Sequence, residues 1–229
     1  MPDPTGPTGF PCRPSILVTG ATGNLGREVV DRLQAHGAHV RCLVRDRAAP
    51  RPGVEWAVGD LTIPAALRAA LVGIDAAFLI WPLLDSAPAN DLVAELIAAA
   101  PRVVYLSSTA VVDERDAADA AVAVLLGHYD QLDDKPPLLT GPEVLGRADQ
   151  VALLGVALRR RLRFQAATAD LSRSRMLTGG GSEQLVEALL AASLRRPESN
   201  RITDHVERLT GRPAGTFARW AIDHAGEFS

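Results

Sequence analysis

The chain has 229 residues, 47% of them hydrophobic, with a formal net charge of −3. It can bury a full core in one principal domain, and without a long basic run neither nucleic acid nor an anionic membrane is favoured as a partner. No apolar stretch nears a membrane span and no signal-peptide pattern opens the chain; with two cysteines, Cys12 and Cys42, forming no framework, a cytoplasmic protein is expected.

Residues 1–14 carry five prolines and no apolar periodicity, and are read as a flexible arm. Ile16–Thr19 is a short apolar run that suits a strand buried on both faces of a parallel sheet. Gly20, Gly23 and Gly26 follow at three-residue spacing. Their tasks are a tight turn, close backbone approach to a pyrophosphate, and close packing of helix on strand. A helix is predicted from about Asn24 to Ala35, with Leu25, Val29, Val30 and Leu33 as its apolar stripe and Gly37 as its stop. His39–Val44 reads as a second strand, with Cys42 as a small core residue. A glycine triad set between a strand and an amphipathic helix within one β-α-β unit is the context of a dinucleotide site.

Val54–Val58 is the third predicted strand. Thr62 is expected to cap a helix with Pro64 in its first turn and Leu67, Ala70 and Leu71 facing inward. Ala76–Ile80 is a fourth strand, Asp91–Ala100 a helix, and Arg102–Leu106 a fifth strand ending at Ser107-Ser108. Strands alternating with helices at these intervals imply an α/β fold, a Rossmann-type doubly wound parallel sheet. Its carboxyl edge collects Gly20, Arg45, Asp60, Ile80, Trp81 and Ser107-Ser108, and ligands bind at such an edge. Beyond Ser108 the rhythm changes. Helices are expected at Asp116–Leu126, Arg147–Arg160, Ser182–Arg195, Asp204–Leu209 and Phe217–His224, with strands at Leu138–Thr140 and Arg163–Ala166 and a break at Gly179–Gly181. The domain scheme is therefore an arm (1–14), a dinucleotide-binding core (15–108) and a shortened, mainly helical C-terminal portion (109–229).

Several motifs carry a family likeness: TGATGNLG at Thr19–Gly26, LVRD at Leu43–Asp46, GDLT at Gly59–Thr62, DAAFLIWP at Asp75–Pro82 and VVYLSS at Val103–Ser108. With LTGPEVL at Leu139–Leu145 and the segment Thr203–Phe228, they resemble the NmrA-like family of atypical short-chain dehydrogenases. The resemblance implies an NADP(H) site. Thr22, Gly23, Asn24 and Leu25 would line the pyrophosphate turn beside Gly20 and Gly26. Arg45 would meet the 2′-phosphate, and Asp60 and Leu61 would border the adenine. The chemistry of Arg45 agrees: an acidic residue at the end of the second strand serves ribose hydroxyls, whereas a phosphate there calls for arginine. NADP(H) is thus favoured over NAD(H), with Asp46 leaving NAD(H) as the alternative.

Two departures bear on mechanism. Only seven residues separate Ser108 from Asp116, whereas a β-α-β crossover needs about thirty, so the family's sixth β-α unit has no room. The Tyr-Lys pair of the usual dehydrogenase is also missing: Tyr105 and Tyr129 are followed four residues later by Thr109 and Asp133. Tyr105 is read as a strand side chain packed under a helix. Ser107 is the one candidate for a polar catalytic partner. Asp113, Glu114, Asp116 and Asp119 read as a solvated helix start, and His36 and His39 as surface residues; His128-Tyr129-Asp130 carries groups capable of acid–base work but reads as a loop before Lys135-Pro136-Pro137, and no metal-ligand spacing is present.

The sequence reading is an NADP(H)-binding oxidoreductase acting on a small carbonyl, quinone or enone compound. A non-catalytic NADP(H) sensor with a regulatory protein partner, and a cofactor-holding scaffold for non-redox chemistry, are the alternatives. A sheet edge left open by the missing strand implies self-association or cover by the C-terminal helices.

Overall fold

Five strands, Ser15–Thr19 (β1), His39–Val44 (β2), Val54–Val58 (β3), Ala76–Ile80 (β4) and Arg102–Leu106 (β5), form one parallel sheet in the order β3-β2-β1-β4-β5. The computed structural model describes residues 13–46, 49, 51–81, 94–96, 98–100, 102–106, 114–129, 136–195 and 200–228. Within it β1 lies in register with both neighbours, Ile16 opposite Val40 on one side and Ala76 on the other.

The period of two along each strand sorts the core into two layers. Ile16, Val18, Val40, Cys42, Ala76 and Phe78 face one side. Helix α1 (Asn24–Ala35) covers that side with Val29, Val30 and Leu33, and helix α3 (Glu114–Leu125) with Ala118, Val122 and Leu125. Leu17, Leu43, Ala77 and Leu79 face the other, under helix α2 (Pro64–Leu71) and Leu96. Residues 94–96 and 98–99 are helical, within the expected 91–100. Both faces being buried explains why the strands read as continuous apolar runs. Cys42 is fully buried, and burial pushes its thiol up to about 12.

The sheet belongs to a unit that runs to Thr140 and takes in Thr203–Ala214. The latter segment contains helix α7 (His205–Thr210). Thr203 N–H donates to Thr140 Oγ1 at 2.9 Å, the Thr203 hydroxyl to the Leu138 carbonyl at 2.5 Å, and Leu138 N–H to His205 Nδ1 at 2.9 Å. The expected strand at Leu138–Thr140 does not form, because side chains of the returning segment take these groups instead of a neighbouring strand. The acidic helix start is also corrected. Asp116 is buried beside Arg212, and Asp119 pairs with Arg32 of α1 and with Arg212.

The second unit comprises Gly141–Ile202 and Gly215–Ser229. It holds helices α4 (Arg147–Ala157), α5 (Ala169–Thr178), α6 (Glu183–Arg195) and α8 (Phe217–Asp223), closed by a 3₁₀ turn at Ala225–Phe228. No strand forms at Arg163–Ala166. Helix α5 was not anticipated; it has no apolar stripe and buries no residue, so no periodicity announces it. Gly179 caps it, which gives the glycine triplet a helix-ending task.

Candidate functional site

The order 3-2-1-4-5 places the topological switch between β1 and β4, where an open α/β sheet forms its ligand crevice. Thr19, the last residue of β1, is 2% exposed. Its Oγ1 accepts from Ile80 N–H at 2.9 Å and lies 3.3 Å from the Phe78 carbonyl, to which the hydroxyl donates. This joins the carboxyl ends of β1 and β4 directly below the glycine turn.

Each glycine of the turn has a measurable reason to be glycine. Gly20 has φ +66°, and a Cβ there would touch Ile80 at 3.4 Å. A Cβ on Gly23 would fall 3.3 Å from the Gly20 oxygen, tighter than an ordinary contact, and Gly23 N–H donates to the Gly20 carbonyl at 3.0 Å, closing the turn. A Cβ on Gly26 would fall 2.0 Å from the Gly20 oxygen and 2.9 Å from Ala21 Cα, so α1 could not sit this close to the turn. Thr22, Gly23 and Asn24 are exposed, Leu25 is half-buried and Gly26 buried.

The start of α1 is suited to an anion. Its N-cap, Gly23, makes no side-chain cap bond, and the first turn has no acidic residue. The first N–H groups and the positive end of the helix therefore have no side-chain cap and no acidic residue of their own first turn to occupy them. Asn24 Oδ1 accepts from Arg27 at 3.0 Å rather than capping.

At the end of β2, Arg45 and Asp46 are both exposed. Asp60, past the end of β3, accepts from Thr62 N–H at 2.8 Å and from the Thr62 hydroxyl at 2.7 Å. These two bonds hold the Asp60 carboxyl below its ordinary value of 3.8, the backbone bond foremost; Arg45 adds in the same direction and partial desolvation opposes. Thr62 thus tightens the Asp60 turn and does not cap α2, whose N-cap is Ile63 with Pro64 next. Leu61 is buried, and Ile80 and Trp81 are half-buried at the end of β4, with Trp81 packed on the α2 side of the sheet.

The structure brings Gly20, Gly23, Gly26, Ile80 and the N-terminus of α1 together, with Arg45 near Asp60 on the flank. Ser107, Ser108, Asp113, Asp130, Pro82 and Cys12 lie outside the described residues. Tyr105 is 55% exposed, not packed under a helix as expected, on a strand that lies at the end of the sheet. Tyr129 lies beneath the Arg102 guanidinium at 4.5 Å. His36 and His39 are exposed, as the sequence indicates. Among the described residues no cluster of His, Cys, Asp and Glu is arranged to hold a metal, and no helix is long and apolar enough to cross a membrane. Sequence reasoning missed Thr19 as the tie between β1 and β4; a threonine closing an apolar run directly before the glycine turn was the available signal.

The NmrA-like family model matches residues 13–125. The chain is 30% identical to the (4-alkanoyl-5-oxo-2,5-dihydrofuran-3-yl)methyl phosphate reductase of Streptomyces griseus and 29% identical to the NAD(P)H azoreductase of Xenophilus azovorans. Each alignment takes in 93% of this chain and 99% of the relative. The two alignments run over 285 and 288 positions against 229 residues here, so the relatives carry tens of residues that this chain lacks between its aligned ends. The solved structure of Citrobacter sp. triphenylmethane reductase complexed with NADP(H) shares the fold. It has a TM-score of 0.73 and 17% identity, and the match covers 92% of this chain and 99% of that one.

Proposed function

The chain belongs to the NmrA-like family, and from that premise we propose that it is a nicotinamide-dinucleotide-dependent oxidoreductase that prefers NADP(H) and reduces a small carbonyl, quinone or enone compound. The observation that carries this reading is the glycine cradle. A Cβ on Gly26 would overlap the turn, and Gly23 leaves the helix N-terminus free for an anion. These residues fit a dinucleotide pyrophosphate. Gly20, Thr22, Gly23, Asn24, Leu25 and Gly26 hold that group, and Ile80 supports the turn from β4. Arg45 pairs with the 2′-phosphate, while Asp60 and Leu61 border the adenine and Trp81 closes the edge beyond β4. When bound, the cofactor supplies a hydride equivalent. The chain contributes binding and orientation, since no Tyr-Lys pair is available to move a proton; Ser107 or a water is the polar partner at the substrate. The two relatives, both reductases and one of them named for NAD(P)H, support the reaction class.

A second reading is favoured by one observation. Those reductases carry tens of residues that this chain lacks, and the seven-residue connection Thr109–Arg115 leaves no room after β5 for the further β-α unit that the family likeness implies. A non-catalytic NADP(H) sensor keeps the adenosine half and dispenses with the rest. The scaffold for non-redox chemistry has no observation of its own. β5 is an end strand of the sheet, and such an edge calls for self-association or for cover by the C-terminal helices; a monomer by light scattering with β5 flanked by solvent would refute this.

NADPH oxidation by the intact chain across a panel of quinones and enones separates the first two readings. Turnover supports the reductase. Saturable NADPH binding without turnover supports the sensor, and absence of binding removes both.

A further inference from the structure

Helix α4 ends in a stretch that the dinucleotide site does not use: Leu158-Arg159-Arg160-Arg161-Leu162-Arg163-Phe164. From Gln150 to Ala169 the chain carries these four arginines and no acidic residue. All four are exposed, and none has an ion-pair partner among the described residues. A chain with net charge −3 thus contains a turn of local charge +4, which the overall balance conceals.

The backbone of this turn is strained in a specific way. Arg159 N–H donates to the Val156 carbonyl at 3.1 Å and Arg160 N–H to the Gly155 carbonyl at 2.9 Å, the paired bonds of a Schellman ending. Arg159 occupies the left-handed position, φ 52°, where glycine ordinarily sits, and it is the one non-glycine residue at positive φ among those described. Arginine at this position retains a strain that glycine would remove. Backbone strain of this kind marks places where the side chain is wanted. The arginines are flanked by exposed apolar groups: Val156 is 77% exposed and Phe164 49%.

We infer that the Arg159–Phe164 turn is a docking surface for an anionic phospholipid bilayer. Guanidinium groups pair with headgroup phosphates and carboxylates, and Val156 and Phe164 enter the headgroup boundary. Single-stranded nucleic acid also offers phosphates. It binds through aromatic platforms on which successive bases stack, and this turn has a single aromatic ring and an aliphatic valine. This inference departs from the expectation drawn from net charge, and it does not depend on the proposed reductase activity.

The test is sedimentation of the intact chain with phosphatidylcholine vesicles and with vesicles that also contain phosphatidylserine. The chain is expected to partition onto the serine-containing vesicles alone and to be released by high salt. Each arginine contributes roughly five-fold, so the combined variant Arg160→Gln, Arg161→Gln, Arg163→Gln should lose about 10²-fold. Phe164→Ser should lose on the order of ten-fold. Arg159→Gly should partition about five-fold more weakly while melting at a higher temperature, since it removes both a charge and the strain. Equal binding to both vesicle types, no binding to either, or unchanged binding by the triple variant would overturn the inference. So would retention of a single-stranded oligonucleotide at a salt concentration where the vesicles are released.

Discussion

In the unit that carries the sheet, Ile16, Leu17, Val18, Leu67 and Phe78 are all closed to solvent, layered on both sides of five parallel strands. In the helical unit Gly155, Val186, Leu190 and Ala221 are buried, and α5 buries none. The first unit is held by area removed from water. The second relies on exposed ion pairs such as Arg173 with Glu187 and Asp170, caps such as Thr168 on Leu171 N–H, and the stacking of Trp220 on His224 at 4.7 Å. Exposed pairs and caps contribute about 1 kcal/mol or less each. Cofactor geometry that must hold to fractions of an ångström is accordingly carried by the sheet.

Four substitutions and one pH window break or sharpen that contrast. The largest effect is expected from Gly26→Val. Its side chain cannot coexist with the Gly20 carbonyl, so cofactor binding should vanish and stability fall by about 3 kcal/mol or more, read by calorimetry and dinucleotide titration. Phe78→Ala should cost about 3–5 kcal/mol in chemical denaturation, because it empties the layer between β4 and α3. Leu190→Ala, in the sparsely buried unit, should cost about 2 kcal/mol, the low end for such a truncation. If Leu190→Ala proves the costlier of the two, the contrast between the units is wrong.

Arg212→Gln probes how Thr203–Ala214 is held to the sheet-bearing unit. It removes the Arg212 contact of Asp116, which is 4% exposed, and one of the two arginine partners of Asp119, at an expected cost of about 1–3 kcal/mol; the half-exposed guanidinium keeps the cost below that of a fully buried pair. The effect confined to alkaline pH, and the smallest at neutral pH, concerns Cys42. Burial raises its thiol from an ordinary 9.0 to about 12 in the folded chain, so its contribution is fully present below pH 9 and is lost as pH rises through that interval. The loss amounts to roughly 1.4 kcal/mol per pH unit. Cys42→Ala should flatten that alkaline slope, and the native thiol should resist alkylating reagents at neutral pH.

The same contrast explains what the amino-acid sequence disclosed. Strands β2 to β5 sit where their apolar runs place them, and the α1 stripe of Val29, Val30 and Leu33 is buried as its 3.6-residue spacing requires. The glycine turn was legible because each glycine answers a steric demand made by residues close in sequence. What escaped depends on partners far along the chain. Leu138–Thr140 looked like a strand, but Thr203 and His205 take its polar groups from more than sixty residues away. Asp116 and Asp119 looked solvated until Arg32 and Arg212 closed on them. Helix α5 escaped for the opposite reason, having no buried face to print a pattern. Arg45 was legible as a cation at the end of β2; its neighbourhood with Asp60 came from the fold.

The proposal to be tested is that a shortened chain of this family keeps a dinucleotide cradle whose phosphate selectivity rests on Arg45. Its most direct test is calorimetric titration of NADPH and NADH into the intact chain and into Arg45→Ala. Removing one charge-assisted phosphate contact should weaken NADPH by roughly 10- to 100-fold and leave NADH within about two-fold of the wild type. Equal loss for both dinucleotides, or no binding of either to the wild-type chain, would contradict the account.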